Sequence, residues 1–126
     1  MTFPENLTYT KEHEWIRVEG NTAIIGITDF AQGELGDVIY LDIPSGKDVK
    51  AGESVGTVEA VKTVSDIYTP ISGKITEVNT AINDTPDMVN KDPYATGWLL
   101  KVEMSDPGEI KSHTMGVGEY KALIGQ

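Results

Sequence analysis

The chain contains no cysteine. That excludes disulfide staples, thiolate nucleophiles and zinc–thiolate centres together. Any redox chemistry must therefore sit on a group attached to the polypeptide. Positive charge is also scarce: 10 Lys and Arg stand against 20 Asp and Glu, for a formal charge of −10. Such a surface repels phosphate backbones, so nucleic acid is excluded as a partner. It suits solubility and steered encounters with basic protein surfaces. No apolar run approaches bilayer length, so no membrane partner is expected. Met1 to Asn6 has neither a basic start leading into an apolar core nor an Arg- and Ser-rich amphipathic pattern. It is read as free of a signal or transit peptide, which favours a bacterial cytoplasm over a mature mitochondrial chain.

Catalytic motifs are missing as well. There is no Gly-x-Gly-x-x-Gly or P-loop pattern, and Ser65 beside Asp66 lacks a Gly-x-Ser-x-Gly elbow. His13 and His113 lie far apart and neither belongs to a His-x-x-x-His pair. Glu12-His13-Glu14 offers a carboxylate–imidazole pair to a metal or to acid–base work, but three polar side chains simply facing water is the preferred reading. No enzyme active site and no metal site are expected.

What is present is a β-prone, turn-rich chain. Its 126 residues are 39% apolar with 13 Gly and 6 Pro, which fits one domain, 1–126, with a modest core. Thr8 to Trp15 reads as an edge segment. Residues 15–19 and 22–27 flank Gly20-Asn21 as a hairpin. Thr28 or Asp29 caps one or two helical turns over 28–35, with Phe30 and Leu35 inward and Gly36 as the stop. Val38 to Ile43 reads as a strand, and 47–53 as a connection. Ser105 with Pro107 signals a helix start. Val117, Tyr120, Leu123 and Ile124 recur at helical spacing, so a helical tail over about 105–124 is expected to pack on the sheet.

The pattern around Gly36-Asp37-Val38 returns at Gly73-Lys74-Ile75, an offset of 37 residues. Val49 before Ala51-Gly52 matches Val89 before Lys91-Asp92, and Val55 to Val58 matches Trp98 to Val102 after an insertion at 79–97. Two similar β units imply a mainly β sandwich with approximate two-fold symmetry. Between them, Gly56 to Pro70 reads as two strands meeting at a tip that holds Lys62. Gly, Asn and Pro are missing from that tip, so the rest of the fold must impose the turn. No other lysine lies between Lys50 and Lys74. Lys62 is either an ordinary solvated charge or an amine on display for modification. The small neighbours Ala60, Val61, Thr63 and Val64 would let a modifying enzyme enclose it. Acylation would convert its stem into the root of a swinging arm that visits several active sites at high effective concentration.

Glu59-Ala60-Val61-Lys62-Thr63-Val64-Ser65-Asp66-Ile67-Tyr68-Thr69-Pro70-Ile71-Ser72-Gly73 resembles the lipoyl-lysine segment of the glycine cleavage system H-protein family. Tyr9 to Trp15, Gly26 to Gln32, Leu35-Gly36-Asp37 and Asp92-Pro93-Tyr94-x-x-Gly97-Trp98-Leu99 follow in the same order, so the resemblance covers roughly residues 7 to 124. Ala60 stands where Ser is commoner in that family. Glu34 stands where some members carry His near the arm, so no arm contact is assigned to it.

The resemblance implies a lipoyl/biotinyl-type barrel-sandwich hybrid and a non-catalytic carrier, with lipoate amide-linked to Lys62. Glu59, Val61, Thr63 and Asp66 form the hairpin context, and Glu12 and Glu14 line a cleft that shields the loaded arm. The implied partners are a pyridoxal-phosphate glycine decarboxylase, a tetrahydrofolate-dependent aminomethyltransferase, a dihydrolipoamide dehydrogenase and a lipoylating enzyme, served by a monomer. A lipoyl donor for other 2-oxo acid dehydrogenase complexes is one alternative. A biotin carrier domain fits less well, because methionines normally flank its lysine where Val61 and Thr63 stand here. A β-sandwich binding module without a prosthetic group is the remaining class.

Overall fold

A computed structural model describes residues 1–126. β1 (Thr8–Tyr9), β2 (Glu14–Glu19) and β3 (Thr22–Ile27) open the chain, and Gly20 supplies the left-handed turn between β2 and β3 at φ 62°. α1 (Asp29–Leu35) begins where Thr28 Oγ1 accepts the Ala31 N–H, and ends at Gly36, φ 78°. β4 (Val38–Asp42), β5 (Asp48–Val49), β6 (Ser54–Ala60), β7 (Val64–Tyr68) and β8 (Gly73–Val78) follow. A 3-10 turn at Thr80–Asn83 and α2 (Met88–Lys91) precede β9 (Leu100–Met104), α3 (Glu109–His113) and α4 (Val117–Leu123).

The strands form two sheets, in the orders β1-β2-β3-β9-β8-β5 and β4-β6-β7. The repeat read from the sequence is visible in the pairing of β4 with β6 and of β8 with β9, because each pair slips in register at the corresponding place, Val38 to Tyr40 and Ile75 to Glu77. Both sheets share one core, which takes Ile16, Ile25, Ile75 and Val102 from the larger and Leu41, Val58 and Ile67 from the smaller. Each such side chain contributes about 1.5–3 kcal/mol by leaving water. The β2–β3 pair is buried on its other face too, where Trp15 and Ile24 join Phe3, Leu7, Tyr9 and Tyr120. That two-sided burial is why Ala23 to Ile27 reads as a nearly unbroken apolar run. Trp15 lies against Gly26, where an added Cβ would come within 2.6 Å of the indole ring.

The insertion at 79–97 covers the free edge of β4. Asn83 Oδ1 accepts the Leu41 N–H at 2.8 Å, and Asn90 Oδ1 accepts the Val38 N–H at 3.0 Å. Two side chains thus stand in for a missing neighbour strand, which protects an edge otherwise open to pairing.

The tail departs from its sequence reading in two respects. Asp106 Oδ1 takes the Gly108 N–H at 3.2 Å, and this local turn delays the helix from Ser105 to Glu109. In α4 only Tyr120 of the apolar stripe is fully buried, while Leu123 faces solvent because the helix ends there. The Gly56–Pro70 hairpin, the helix after Thr28 and the sandwich itself form as the sequence reads. No helix is long and apolar enough to cross a membrane.

Candidate functional site

β6 and β7 pair from Ser54↔Tyr68 to Glu59↔Val64, leaving Lys62 exposed at the tip. No tip residue has positive φ, so the primed turns that usually close short hairpins are not used. Two backbone bonds fix the tip instead. The Ala60 N–H donates to Thr63 O at 2.8 Å, and the Val61 N–H donates to Asp37 O at 2.9 Å. The second reaches outside the hairpin to the loop between α1 and β4. That loop is anchored in turn, because Asn90 Nδ2 donates to Gly36 O at 2.8 Å and to Gln32 Oε1 at 3.1 Å. The turn is therefore imposed from outside. The lysine stem lies over Gly36, where a Cβ would make ordinary van der Waals contact with Lys62 Cδ and Cε at 3.9 Å. Lys62 takes part in none of the ion pairs of the structure, so its amine is free.

Beside the α1 end of the tip lies a cleft of about 330 Å³. Its apolar walls come from Ile27, Phe30, Ala31, Leu35, Val58 and Ile67, and its polar groups are Glu12, His13, Glu14, Glu34, Ser65 and Asp66. Glu12, Glu14 and Asp66, distant in sequence, thus meet in one cavity. Glu59, Val61 and Thr63 do not line it; all three are exposed around the tip. A second hollow of about 410 Å³ adjoins at Glu12 and Glu14, bounded by Thr10, Tyr68, Thr69 and Pro70.

Glu14 is the unusual group. It is only 2% exposed, yet it has two donors: Tyr68 N–H reaches Oε2 at 3.0 Å and Thr10 Oγ1 reaches Oε1 at 3.0 Å. Burial pushes its carboxyl up to about 8, against the pull of those donors and with a further push from Glu12. The Tyr68 bond also satisfies the outer edge of β7, so Glu14 is part of the fold as well as of the cleft.

His13 and Glu34 carry more of the cleft than the sequence suggested. His13 is the one non-glycine residue with positive φ, 68°, and its ring packs 5.0 Å from Phe30. Burial lowers its pKa, opposed by the carboxylates of Glu12 and Glu34. His13 is thus a half-buried part of the cleft wall rather than a solvated surface group. Its Nδ1 lies 2.9 Å from Tyr120 Oη, which lies 2.7 Å from Thr28 Oγ1. Only the adjacency of His13 to Glu12 and Glu14 hinted at this; the link to α4 has no local signature.

The glycine cleavage H-protein family model matches residues 7–126. The chain belongs to that family. It is 50% identical over 125 residues to the glycine cleavage system H protein of Bacteroides thetaiotaomicron, covering 98% of each chain. The corresponding protein of Symbiobacterium thermophilum is 56% identical over 108 residues, 85% of this chain and 84% of that one. Among solved structures, the glycine cleavage system H protein of Mycobacterium marinum aligns with TM-score 0.89 at 40% identity, covering 98% of this chain and all of that one. As a member of the glycine cleavage H-protein family, the chain is a carrier subunit rather than a catalyst, with the lipoyl-domain type of sandwich.

Proposed function

We propose that Lys62 bears lipoate in amide linkage, and that the chain carries the aminomethyl intermediate from the glycine decarboxylase to the aminomethyltransferase. It then presents the reduced dithiol to dihydrolipoamide dehydrogenase. The observation that carries this reading is Lys62, free of ion pairs and locked on an externally braced tip, beside a cleft that pairs apolar walls with four carboxyl groups. When bound, lipoate supplies a dithiolane that takes up an aminomethyl group with two electrons and returns the electrons on reoxidation.

The chain's own residues supply attachment, shelter and charge. The deprotonated Lys62 Nζ attacks an activated acyl donor, a thioester or an acyl-adenylate. An amide C–N bond forms, the thiol or nucleotide leaves, and the second proton departs with it. Phe30, Leu35, Val58 and Ile67 give an apolar group a water-poor resting place. Glu12, Glu34 and Asp66 offer carboxylates to a cationic nitrogen. Below about pH 8 Glu14 holds its carboxyl proton, and a cation entering the cleft favours its release to solvent, because the cation offsets the cost of the buried charge. The carrier works as a monomer in a bacterial cytoplasm, as one unit spanning 1–126.

Intact mass after incubation with a lipoylating enzyme tests the attachment: one lipoyl increment is expected on the wild type and none on Lys62→Arg, with the fold unchanged. A biotinyl increment, or acylation of the arginine variant, would overturn it. Glycine–bicarbonate exchange with the partner decarboxylase tests the role. A lipoylated chain that supports no exchange would overturn the shuttle role and leave the lipoyl-donor alternative standing.

A further inference from the structure

Seven large apolar side chains are exposed in this protein, and four of them, Ile39, Tyr40, Val61 and Val64, surround Lys62 at 45–67% exposure. Their grouping is built into the backbone. The register of β4 against β6 slips between Val38 and Tyr40, so Ile39 and Tyr40 both turn outward where strand alternation would bury one. Tyr40 stands opposite Glu59, and Glu59 opposite Val64, so this row crosses the outer face of the sheet next to the tip. The next row on that face, Asp42, Thr57 and Asp66, is polar. The apolar surface is thus confined to the tip. Around it, residues 37–42 and 59–66 hold four carboxylates, Asp37, Asp42, Glu59 and Asp66, and one cation, Lys62 itself.

We infer that Ile39, Tyr40, Val61 and Val64 form the docking surface for the enzyme that acylates Lys62, an apolar pocket ringed by Lys and Arg; this rests on the carrier reading above. The choice of occupant follows from reach. An amine at the end of a bare lysine enters another protein's active site only if that protein covers the tip. Enzymes that meet the finished arm are reached by a much longer chain and can leave the tip exposed. An apolar centre with an acidic rim suits a basic-rimmed partner, whose on-rate the rim charges raise.

The test uses the unmodified full chain with a purified lipoate–protein ligase, ATP and lipoic acid, and follows acylation by intact mass. Tyr40→Ser and Val64→Ser are expected to raise KM for the carrier by about tenfold with kcat little changed, since central apolar contacts dominate small interfaces. Val18→Ser, another exposed valine outside this face, serves as the control and is expected to leave KM alone. Raising salt is expected to raise the wild-type KM by screening the rim. Unfolding curves identify any variant that has lost its fold, and the milder Tyr40→Phe, keeping the apolar ring, is expected to restore wild-type KM. Patch variants acylated at wild-type KM would sink the docking surface and leave the carrier reading standing. A wild-type chain that takes no acyl group sinks both. A concentration-dependent dimer abolished by the same substitutions, with acylation unaltered, would assign the patch to a second copy of the chain instead.

Discussion

Tyr120 and His13 are joined by a hydrogen bond of 2.9 Å across 107 residues of sequence. Thr28 Oγ1 is buried, accepts the Ala31 N–H and lies 2.7 Å from Tyr120 Oη, where either hydroxyl can donate. The order that uses every hydroxyl proton runs from Thr28 to Tyr120 to His13 Nδ1, and it places the ring proton of a neutral His13 on Nε2. The C-terminal helix thereby fixes the wall of the cleft and the cap of α1 through one hydroxyl.

Removing that hydroxyl isolates its contribution. Tyr120→Phe keeps the ring that stacks 4.9 Å from Tyr9, but strands the Thr28 hydroxyl and the His13 nitrogen. A loss of about 1–3 kcal/mol is expected in urea unfolding, the cost of leaving buried polar groups unpaired. Nitrogen NMR of the wild type should show the Nε2–H tautomer of His13. A ring protonated on Nδ1 at neutral pH would reverse the donor order.

Glu14 gives stability a pH dependence of unusual sign. Its carboxyl titrates at about 8 in the fold against 4.5 for an ordinary glutamate, so between those values the folded chain holds a proton that the unfolded chain releases. The contribution is fully present below pH 4.5 and is lost as pH rises towards 8, at up to about 1.4 kcal/mol per pH unit. His13 acts in the opposite sense, because its lowered pKa costs stability as pH falls below 6.5. Glu14→Gln keeps an acceptor for Tyr68 N–H and cannot ionise. The difference between its unfolding free energy and that of the wild type should therefore grow from pH 5 to pH 8. A difference independent of pH would show that Glu14 is ionised in the fold.

Asn90 braces the tip at one remove. Its side chain accepts from Val38 N–H and donates to Gly36 O and Gln32 Oε1. Asn90→Ala is expected to cost about 1–3 kcal/mol by orphaning these groups. Asn90→Asp keeps the acceptor but faces the Gly36 carbonyl with a carboxylate, and should be no better. Hydrogen exchange of the Val61 amide, which is bonded to Asp37 O, should quicken in both variants if the brace runs from α2 to the tip.

The parts of this molecule legible in its sequence are those with local causes. Thr28 and Gly36 bound α1 by cap chemistry, Gly20-Asn21 turns the first hairpin, and the repeated Gly-x-β units predict the paired strands. The lysine tip was legible through the absence of turn residues, which required an outside brace. The brace itself was not, because Asp37 O and Asn90 reveal nothing until the chain folds over 52 residues of separation. The same limit hid Tyr120 behind a helix stripe and left Glu34 without an assigned contact to the arm.

The electrostatics of the cleft allow a differential test of its geometry. Glu12 raises the pKa of both Glu14 and His13, whereas Glu34 raises that of His13 alone. Glu12→Gln should therefore lower both values, and Glu34→Gln only that of His13. Both glutamates are exposed, so the substitutions disturb neither sheet nor core. NMR titration of the His13 ring and the Glu14 side-chain carboxyl reads each shift separately. If Glu34→Gln left His13 unmoved, Glu34 would face solvent rather than the cleft, and the cationic cargo would have one carboxylate fewer to meet it. If Glu12→Gln moved only one of the pair, the cavity would be narrower than its lining implies, with Glu12 turned to a single side.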